Sequence, residues 1–270
     1  MLNIMESLYN IRKLDELARG DTSIHRVHPL AKLITTVIYL IVVVSFDRYE
    51  ISRLLPLVFY PILIFAFAEL PVKPILKRVL LVEPLVIGIG VLNPVFDQQV
   101  VMLAGMEISR GWITFLAIFI KGGLTVTAAL LLIATTGMDR LAEALRMLRI
   151  PRLFVLQLLL TYRYISVLLE EVATTLRAYS MRAPRQKGIQ RSVWGSLAGQ
   201  MLLRTFDRAQ RVYQAMCLRG FSGEYITGSS KKMNAGDLLF IVGWGLFLIT
   251  MRTYDIPMLL GSLFTGVITR

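Results

Sequence analysis

Long apolar runs, separated by short segments that hold most of the charged residues, set the pattern of this chain. A helix that spans a bilayer needs about 20 mostly apolar residues, because an unpaired backbone group is costly in lipid. The pattern predicts about six such helices, of which the last is short and contains glycine. Their predicted ranges are Leu33–Phe46, Ile51–Leu70, Val79–Phe96, Gly111–Thr135, Leu238–Met251 and Ile256–Thr269.

The section between the fourth and fifth apolar runs has a different pattern, with polar and apolar residues mixed at helical spacing. Met138–Pro151 predicts a short amphipathic helix that ends at a proline. Arg152–Arg182 and Ser192–Leu218 predict two long amphipathic helices. Gly220 follows the second of these at the position of a left-handed C-terminal cap. The predicted fold class is therefore an all-α, polytopic integral membrane protein with long amphipathic helices outside the bilayer.

Composition and charge agree with this fold class. The chain is 55% hydrophobic and only 18% charged, so a soluble domain could not cover its apolar surface. The net charge of +12 would suggest nucleic acid in a soluble chain, but here the basic residues cluster in alternate connecting segments. The positive-inside rule then predicts a cell (inner or plasma) membrane protein with both termini in the cytoplasm and no nucleic-acid partner. Only four basic residues would lie outside: Arg48, Arg53, Arg110 and Arg252.

The order of apolar runs and basic segments predicts four parts in the chain. Residues 1–29 form a cytoplasmic N-terminal segment without the apolar region of a signal peptide. Residues 30–135 contain four spans, residues 136–234 form the cytoplasmic section of amphipathic helices, and residues 235–270 contain the last spans.

The residues that usually carry catalysis or bind metals are scarce. Cys217 is the only cysteine, and His25 and His28 are the only histidines. No acidic pair or histidine cluster is placed to support transfer chemistry at the inner interface. We therefore expect a non-catalytic chain with no metal site and no cofactor.

Three ionisable residues fall at or near membrane depth: Glu83 in the third run, Lys121 in the fourth, and Arg163. Such groups are costly in lipid and usually face a partner or a cavity, so Glu83 and Lys121 are a possible pair. Alternatively, Glu83 lies near the interface and Lys121 extends along its stem towards the headgroups. The sequence favours neither interpretation.

The two long predicted helices end alike. Residues 178–183 read Ala-Tyr-Ser-Met-Arg-Ala, and residues 215–220 read Ala-Met-Cys-Leu-Arg-Gly. A small residue beside the arginine lets another backbone approach, and the guanidinium can then form a forked hydrogen bond with a carboxylate. The alternative is that both arginines only complement the helix dipole.

At these residues the sequence resembles the transmembrane (T) component of energy-coupling factor transporters, specifically the cobalt-type CbiQ group. The resemblance covers essentially the whole chain. It is strongest over residues 208–223, which read RAQRVYQAMCLRGFSG, and extends to His28–Lys32, to Leu141–Pro151 and to Tyr162–Tyr164.

The resemblance implies a scaffold that joins a substrate-binding membrane subunit, of the cobalt or nickel type, to two cytoplasmic ABC-type ATPases. Two short Ala-Arg-Gly-like motifs in this family each dock on one ATPase. Their counterparts here are Met181, Arg182 and Ala183, and Leu218, Arg219 and Gly220; the first departs from the usual form on both sides of its arginine. The resemblance places metal binding on the partner subunit.

Three further features bear on this interpretation. Pro184 and Gly188 separate the two long helices and are candidate hinge residues. Ala18–Gly20 spells the motif literally, but it precedes the first span and does not end a long helix. The basic section is also suited to contact with anionic membrane lipid.

Two other kinds of transporter fit the sequence less well than the scaffold. A conventional permease of an ATP-driven importer would couple through one cytoplasmic loop, and the expected glycine and spacing of that loop are missing here. A secondary transporter would need inverted repeats with broken helices, and the two halves of this chain do not match.

Overall fold

The computed structural model describes residues 15–47, 49–96, 100–103, 106–184, 188, 190–223 and 232–254. The chain is a polytopic, all-α membrane protein with one short β-hairpin. It divides into two compact units. Unit 1 consists of Leu17–Gly137 and Lys231–Arg270, and unit 2 of Met1–Glu16 and Met138–Ser230.

Unit 1 contains most of the apolar helices. They are α1 (Ser23–Arg26), α2 (Pro29–Ser45), α3 (Ile51–Ala68, with a 3-10 turn at Leu55–Val58), α4 (Val72–Gly90), α5 (Leu92–Phe96), α6 (Arg110–Thr136) and α10 (Ala235–Thr253). Strand β1 (Val100–Leu103) pairs antiparallel with β2 (Met106–Ser109) just before α6. The sequence pattern did not predict this hairpin.

Unit 2 contains the amphipathic section. Its helices are α7 (Met138–Met147), α8 (Arg152–Arg182) and α9 (Arg191–Leu218). All three were predicted from the spacing of apolar residues, and their observed bounds lie close to the predicted ones.

Three of the predicted spans correspond to helices that are long and apolar enough to cross a membrane. These are α3, α6 and α10, which match the second, fourth and fifth predicted spans. Helix α2 matches the first, but it has 17 residues, slightly fewer than a full crossing requires. The predicted sixth span, Ile256–Thr269, lies outside the described residues.

The third predicted span was placed too late along the chain. Helix α4 begins at Val72 rather than Val79 and ends at Gly90, after which the separate helix α5 follows. Pro74 falls in the first turn of α4, where the missing N–H costs nothing. The earlier start brings Lys73, Lys77 and Arg78 into α4, so this helix is more highly charged than the spans around it.

Helix α8 differs from expectation in another way. Its 31 residues are long and apolar enough to cross a membrane, although the sequence pattern assigned it to the cytoplasm. The apolar residues concentrate in its first half, whereas Glu170, Glu171, Arg177 and Arg182 fall in its second half. Because length and composition alone permit both placements, the cytoplasmic assignment stays a prediction.

Aromatic side chains from three helices hold unit 1 together. The ring of Tyr39 stacks on Tyr60 at 4.4 Å, and Trp244 meets Tyr60 edge-on at 4.8 Å. The Tyr39 hydroxyl donates to the carbonyl of Leu57 at 3.2 Å, and the hydroxyls of Thr36 and Tyr60 are 3.0 Å apart. These contacts join α2, α3 and α10 and satisfy the polar atoms that the rings bring into the core.

Small residues allow α6 to approach α4 and α5 closely. A Cβ added at Gly111 would lie 2.5 Å from the Cα of Pro94, and one added at Gly122 would lie 2.9 Å from a methyl of Val86. Both positions therefore require glycine for steric reasons. Close packing through small residues is typical of helices in membranes.

Candidate coupling site at the helix ends

The first candidate arginine is the last residue of α8. The N–H of Ala183 donates to the carbonyl of Tyr179 at 3.0 Å, and the backbone then leaves the helical region, with Ala183 at φ −128°. Pro184 explains this ending, because a residue before proline avoids helical dihedral angles. Arg182 is exposed, and the side chain of Met181 is 77% exposed.

The second candidate arginine follows α9 and lies in a Schellman motif. The N–H of Gly220 donates to the carbonyl of Cys217, and the N–H of Phe221 donates to the carbonyl of Met216, both at 3.0 Å. Gly220 has a φ of +80°, which confirms the left-handed cap predicted from the sequence. Arg219 is exposed, directly before this cap.

The two helix ends share their exposure but differ in backbone geometry. Leu218 beside Arg219 is 89% exposed, as open to solvent as Met181 beside Arg182. A Cβ at Gly220 would meet no atom within 4 Å, so the glycine leaves free space next to Arg219. Among the described residues, neither arginine forms an ion pair with a carboxylate of its own chain. Both guanidinium groups are therefore accessible to another protein.

The only cysteine lies two residues before Arg219. Cys217 is an exposed, free thiol on the last turn of α9. Its hydrogen bond with the Tyr213 hydroxyl raises the pKa of that hydroxyl above its ordinary value. The chain thus carries a native chemical label site beside the second helix end.

An ion-pair cluster joins α8 and α9 away from their ends. One carboxylate oxygen of Glu171 lies 3.8 Å from a guanidinium nitrogen of Arg204, and the other lies 3.4 Å from a guanidinium nitrogen of Arg208. The Arg208 contact is electrostatic, since it lacks the geometry of a hydrogen bond. The Glu171 side chain is only 16% exposed, whereas the two arginines are more open to solvent. Thr174 and Thr175 line the small cavity at this crossing.

Helix α9 presents an unusually apolar surface. None of its residues is buried. A surface that is both large and apolar on a single chain usually marks a contact with another protein or with lipid. Besides Leu218 at its end, its exposed large apolar side chains are Trp194, Leu202, Leu203, Phe206 and Tyr213.

The literal Ala-Arg-Gly sequence at Ala18–Gly20 is only partly packed into its own chain, since Arg19 and Gly20 are exposed. Ala18 is 5% exposed, and a Cβ at Gly20 would lie 2.9 Å from the ring of His25. The face of Gly20 where a Cβ would lie is covered by His25, whereas the same face of Gly220 is open. This geometry agrees with leaving the segment out of the candidate site.

Glu83 and Lys121 do not meet, so the possible pair is absent from the structure. The Lys121 ammonium donates to the backbone carbonyl of Phe46 at 2.6 Å. Glu83 is 6% exposed, and its Oε1 points towards Gly123, with 3.1 Å to the position of an added Cβ. Its other oxygen has no hydrogen-bond partner. Glu83 is thus buried at the α4–α6 contact, whereas Lys121 is partly buried against the end of α2.

A buried polar cluster in unit 1 was not predicted from the sequence. Asp237, at 7% exposure, accepts hydrogen bonds from the backbone N–H of His28 and of Asn234, both at 2.8 Å. Four residues after His28, the ammonium of the buried Lys32 donates to the carbonyl of Thr135 at 2.8 Å. The capping pattern from Asn234 to Asp237 was visible in the sequence, but the contact with His28 was not. Within the described ranges, no three His, Cys, Asp or Glu side chains are placed to hold a metal ion.

The candidate hinge residues lie between α8 and α9. Pro184 directly follows the cap of α8, and Gly188 has a φ of +88° with no atom near the position of a Cβ. Neither residue is packed against the helices, so their role as a hinge stays a prediction.

A comparison of the sequence with known protein families decides the identity of the chain. Residues 20–229 match the sequence model of CbiQ, described as a cobalt transport protein. The chain belongs to the CbiQ family. The match includes both helix ends, the α8–α9 crossing and all but the last of the apolar helices, so the family resemblance inferred from the motifs is confirmed. The family is described as a cobalt transport protein, and this chain is a polytopic membrane protein of that family.

Two relatives are similar to parts of this chain. The uncharacterized protein MJ1571 of Methanocaldococcus jannaschii is 25% identical over 187 residues, which cover 65% of this chain and 64% of the relative. The nickel permease LarQ of Lactiplantibacillus plantarum is 27% identical over 118 residues, which cover 42% of this chain and 43% of the relative. The chain therefore matches less than two thirds of the length of each relative.

Proposed function

We propose that this CbiQ-family chain is the transmembrane scaffold of an ATP-driven importer of the energy-coupling factor type. It would couple two cytoplasmic ABC-type ATPases to a substrate-binding membrane subunit. The observation that carries the proposal is the pair of exposed arginines, Arg182 and Arg219, each at the end of a long helix and each beside a small residue.

The chemistry of the helix ends suits docking in an acidic groove. A guanidinium can donate two parallel hydrogen bonds to one carboxylate, which fixes both distance and orientation. The free space at Gly220 and the short side chain of Ala183 would let the groove wall approach the helix backbone. The exposed Met181 and Leu218 would be covered by the same contact, so that apolar burial adds to the ion pair.

The apolar surface of α9 supports a second contact, with the substrate-binding membrane subunit. Exposed side chains such as Trp194, Leu202 and Phe206 would be shielded from water by that subunit. We propose cobalt or nickel as the transported substrate, because the family is described as a cobalt transport protein and one relative is a nickel permease. The metal would bind to the partner subunit, and this chain would have no catalytic role and need no cofactor.

The mechanism we propose is rigid-body transmission. Closing and opening of the two ATPases would move Arg182 and Arg219 relative to each other. Pro184 and Gly188 would absorb the change in backbone angle between α8 and α9. The Glu171 cluster would keep the helices in contact at their crossing, so that motion at the ends reaches the membrane subunit. In this scheme residues 136–234 are cytoplasmic, both termini are cytoplasmic, and the chain lies in the inner or plasma membrane.

Removing the charge at the α8–α9 crossing tests the transmission step. We expect Glu171→Gln to lower the number of ions imported per ATP hydrolysed about fivefold, because partly exposed ion pairs contribute up to about 1 kcal/mol each. The measurement is metal uptake and ATP hydrolysis in the same proteoliposomes. Asp207→Asn on α9 is the matched control, and Glu171→Arg combined with Arg208→Glu should restore part of the coupling. A wild-type ratio for Glu171→Gln would contradict the role of the crossing.

Cys217 allows a direct test of the docking site in the unmodified chain. We expect saturating ATPase subunits to slow maleimide labelling of Cys217 at least about tenfold, because the thiol lies beside Arg219 at the proposed contact. Labelling of this chain is measured by intact mass.

The control for this experiment uses a cysteine on the same helix but far from its C-terminal end. In the variant Cys217→Ser with Gln200→Cys, labelling should proceed equally with and without the ATPases. Unchanged labelling of Cys217 in a complex that contains the ATPases would overturn the proposed site.

A further inference from the structure

The turn between α7 and α8 has an exposed surface that neither the fold nor the proposed coupling mechanism uses. Residues 146–149 and 151–154 are all exposed. Their apolar side chains are large, with Leu153 at 74%, Phe154 at 57% and Leu148 at 47% exposure. We call residues 146–154 the tip.

The apolar side chains of the tip alternate with arginines. Arg146, Arg149 and Arg152 lie within seven consecutive residues, and no acidic residue interrupts them. Arg149 has a φ of +61°, so the chain reverses sharply at this residue and brings the three basic positions into one short turn. A left-handed residue other than glycine is uncommon and indicates that the turn is well determined.

The tip is held by a small core of its own. Ala142, Val155 and Leu159 are buried together, and Leu145, Ile150 and Leu158 pack around them. Ile150 is the one inward-facing residue of the tip, and it lies between two exposed groups of four. The exposed leucines and the phenylalanine therefore do not contribute to this core.

We propose that the tip inserts into the headgroup region of an anionic lipid bilayer. Arginine and large apolar side chains together are typical of protein surfaces that lie in the membrane interface. The guanidinium groups of Arg146 and Arg149 would donate to lipid phosphates, and Leu148, Leu153 and Phe154 would enter the boundary between headgroups and acyl chains.

The covalent connection favours a bilayer over another protein as the occupant. Helix α6, which is apolar and long enough to span, ends at Thr136, and α7 has only 10 residues, of which the last two already belong to the tip. At 1.5 Å per residue, α7 extends about 15 Å, so the tip stays within reach of the membrane surface. If α8 itself spans the membrane, the tip again lies at an interface, because it contains the first residues of α8.

Fluorescence from a label on the tip tests the proposal in the full-length chain. The chain with Cys217→Ser and Leu148→Cys carries a single environment-sensitive NBD label. In nanodiscs with phosphatidylglycerol we expect blue-shifted emission that lipids brominated near the headgroup quench. In nanodiscs of phosphatidylcholine alone the shift should be much smaller.

Removing arginine charges from the tip tests whether the tip binds anionic lipid or only lies close to the bilayer. Arg146→Gln with Arg149→Asn should raise the phosphatidylglycerol fraction needed for a half-maximal shift by about fivefold per arginine. Asparagine is chosen for position 149 because it tolerates a positive φ. The control, Arg177→Gln with Arg191→Gln, removes two exposed charges elsewhere in unit 2 and should leave the shift unchanged.

Three results would overturn the proposal. The first is water-like emission in both kinds of nanodisc. The second is a blue shift that requires an added ATPase or substrate-binding subunit, which would make the tip a protein contact. The third is a shift that is equal in both lipids and insensitive to the two arginines.

Discussion

Reversing the charge at both helix ends, with Arg182→Glu and Arg219→Glu, is expected to abolish both ATPase co-purification and ATP-driven uptake. Loss of a buried, hydrogen-bonded charge at an interface costs about 2–5 kcal/mol, which is a loss of at least about 30-fold in affinity for each arginine. The new carboxylates would also face an acidic groove. The single variant Arg219→Glu should weaken co-purification, and the double variant should weaken it further.

Two controls make this result specific. Arg19→Glu reverses the charge in the literal Ala-Arg-Gly sequence and should leave co-purification intact, because this segment does not end a long helix, Ala18 is buried and His25 covers one face of Gly20. Arg219→Lys keeps the charge but loses the fork of donors, so it should bind with intermediate strength. Wild-type co-purification and uptake in the double variant would refute the proposed docking.

The helix ends could be predicted from the sequence because they depend on local chemistry. Pro184 ends α8 and Gly220 ends α9 for reasons that hold in any protein, namely the steric restriction before proline and the left-handed conformation of glycine. The apolar runs of α3, α6 and α10 were equally clear, since each is long and almost without charge.

The placement of α4 and α8 was harder to predict because both helices mix apolar and charged stretches. The basic residues Lys73, Lys77 and Arg78 were interpreted as a cytoplasmic connection, yet they continue the helix that contains Glu83. In α8 an apolar first half precedes a charged second half, so a hydropathy averaged over the whole helix does not show how the two halves differ. Periodicity indicates where a helix forms, but not where it lies relative to a bilayer.

Contacts between distant parts of the chain were beyond sequence reasoning. Lys121 and Glu83 are a possible pair from the sequence because both fall at membrane depth, but the Lys121 ammonium donates to the backbone carbonyl of Phe46 instead. Every residue has a backbone carbonyl, so the order of side chains does not indicate which carbonyl a lysine will bind. The same holds for Asp237 and the N–H of His28, which lie 209 residues apart in the chain.

The Asp237 cluster leads to the largest effect on stability that we expect. Asp237→Ala would remove the acceptor for two backbone N–H groups, at His28 and Asn234. Loss of a helix cap costs about 1 kcal/mol, and a buried donor left unsatisfied costs about 1–3 kcal/mol more. Together these lower the free energy of unfolding by about 2–4 kcal/mol, which corresponds to a fall in Tm of roughly 5–12 °C. Thermal unfolding of the purified chain in detergent measures this change.

The comparison with Asp237→Asn and Asp139→Ala shows why the position matters. Asparagine keeps one acceptor oxygen but turns a second donor towards N–H groups, so its Tm should fall between those of the wild type and Asp237→Ala. Asp139 is also an acid in the first turn of a helix, but it is exposed, and its loss should change Tm very little. Equal Tm values for Asp237→Ala and Asp139→Ala would mean that Asp237 contributes only as a helix-end charge. In that case the contact with His28 would not hold α10 to the start of α2.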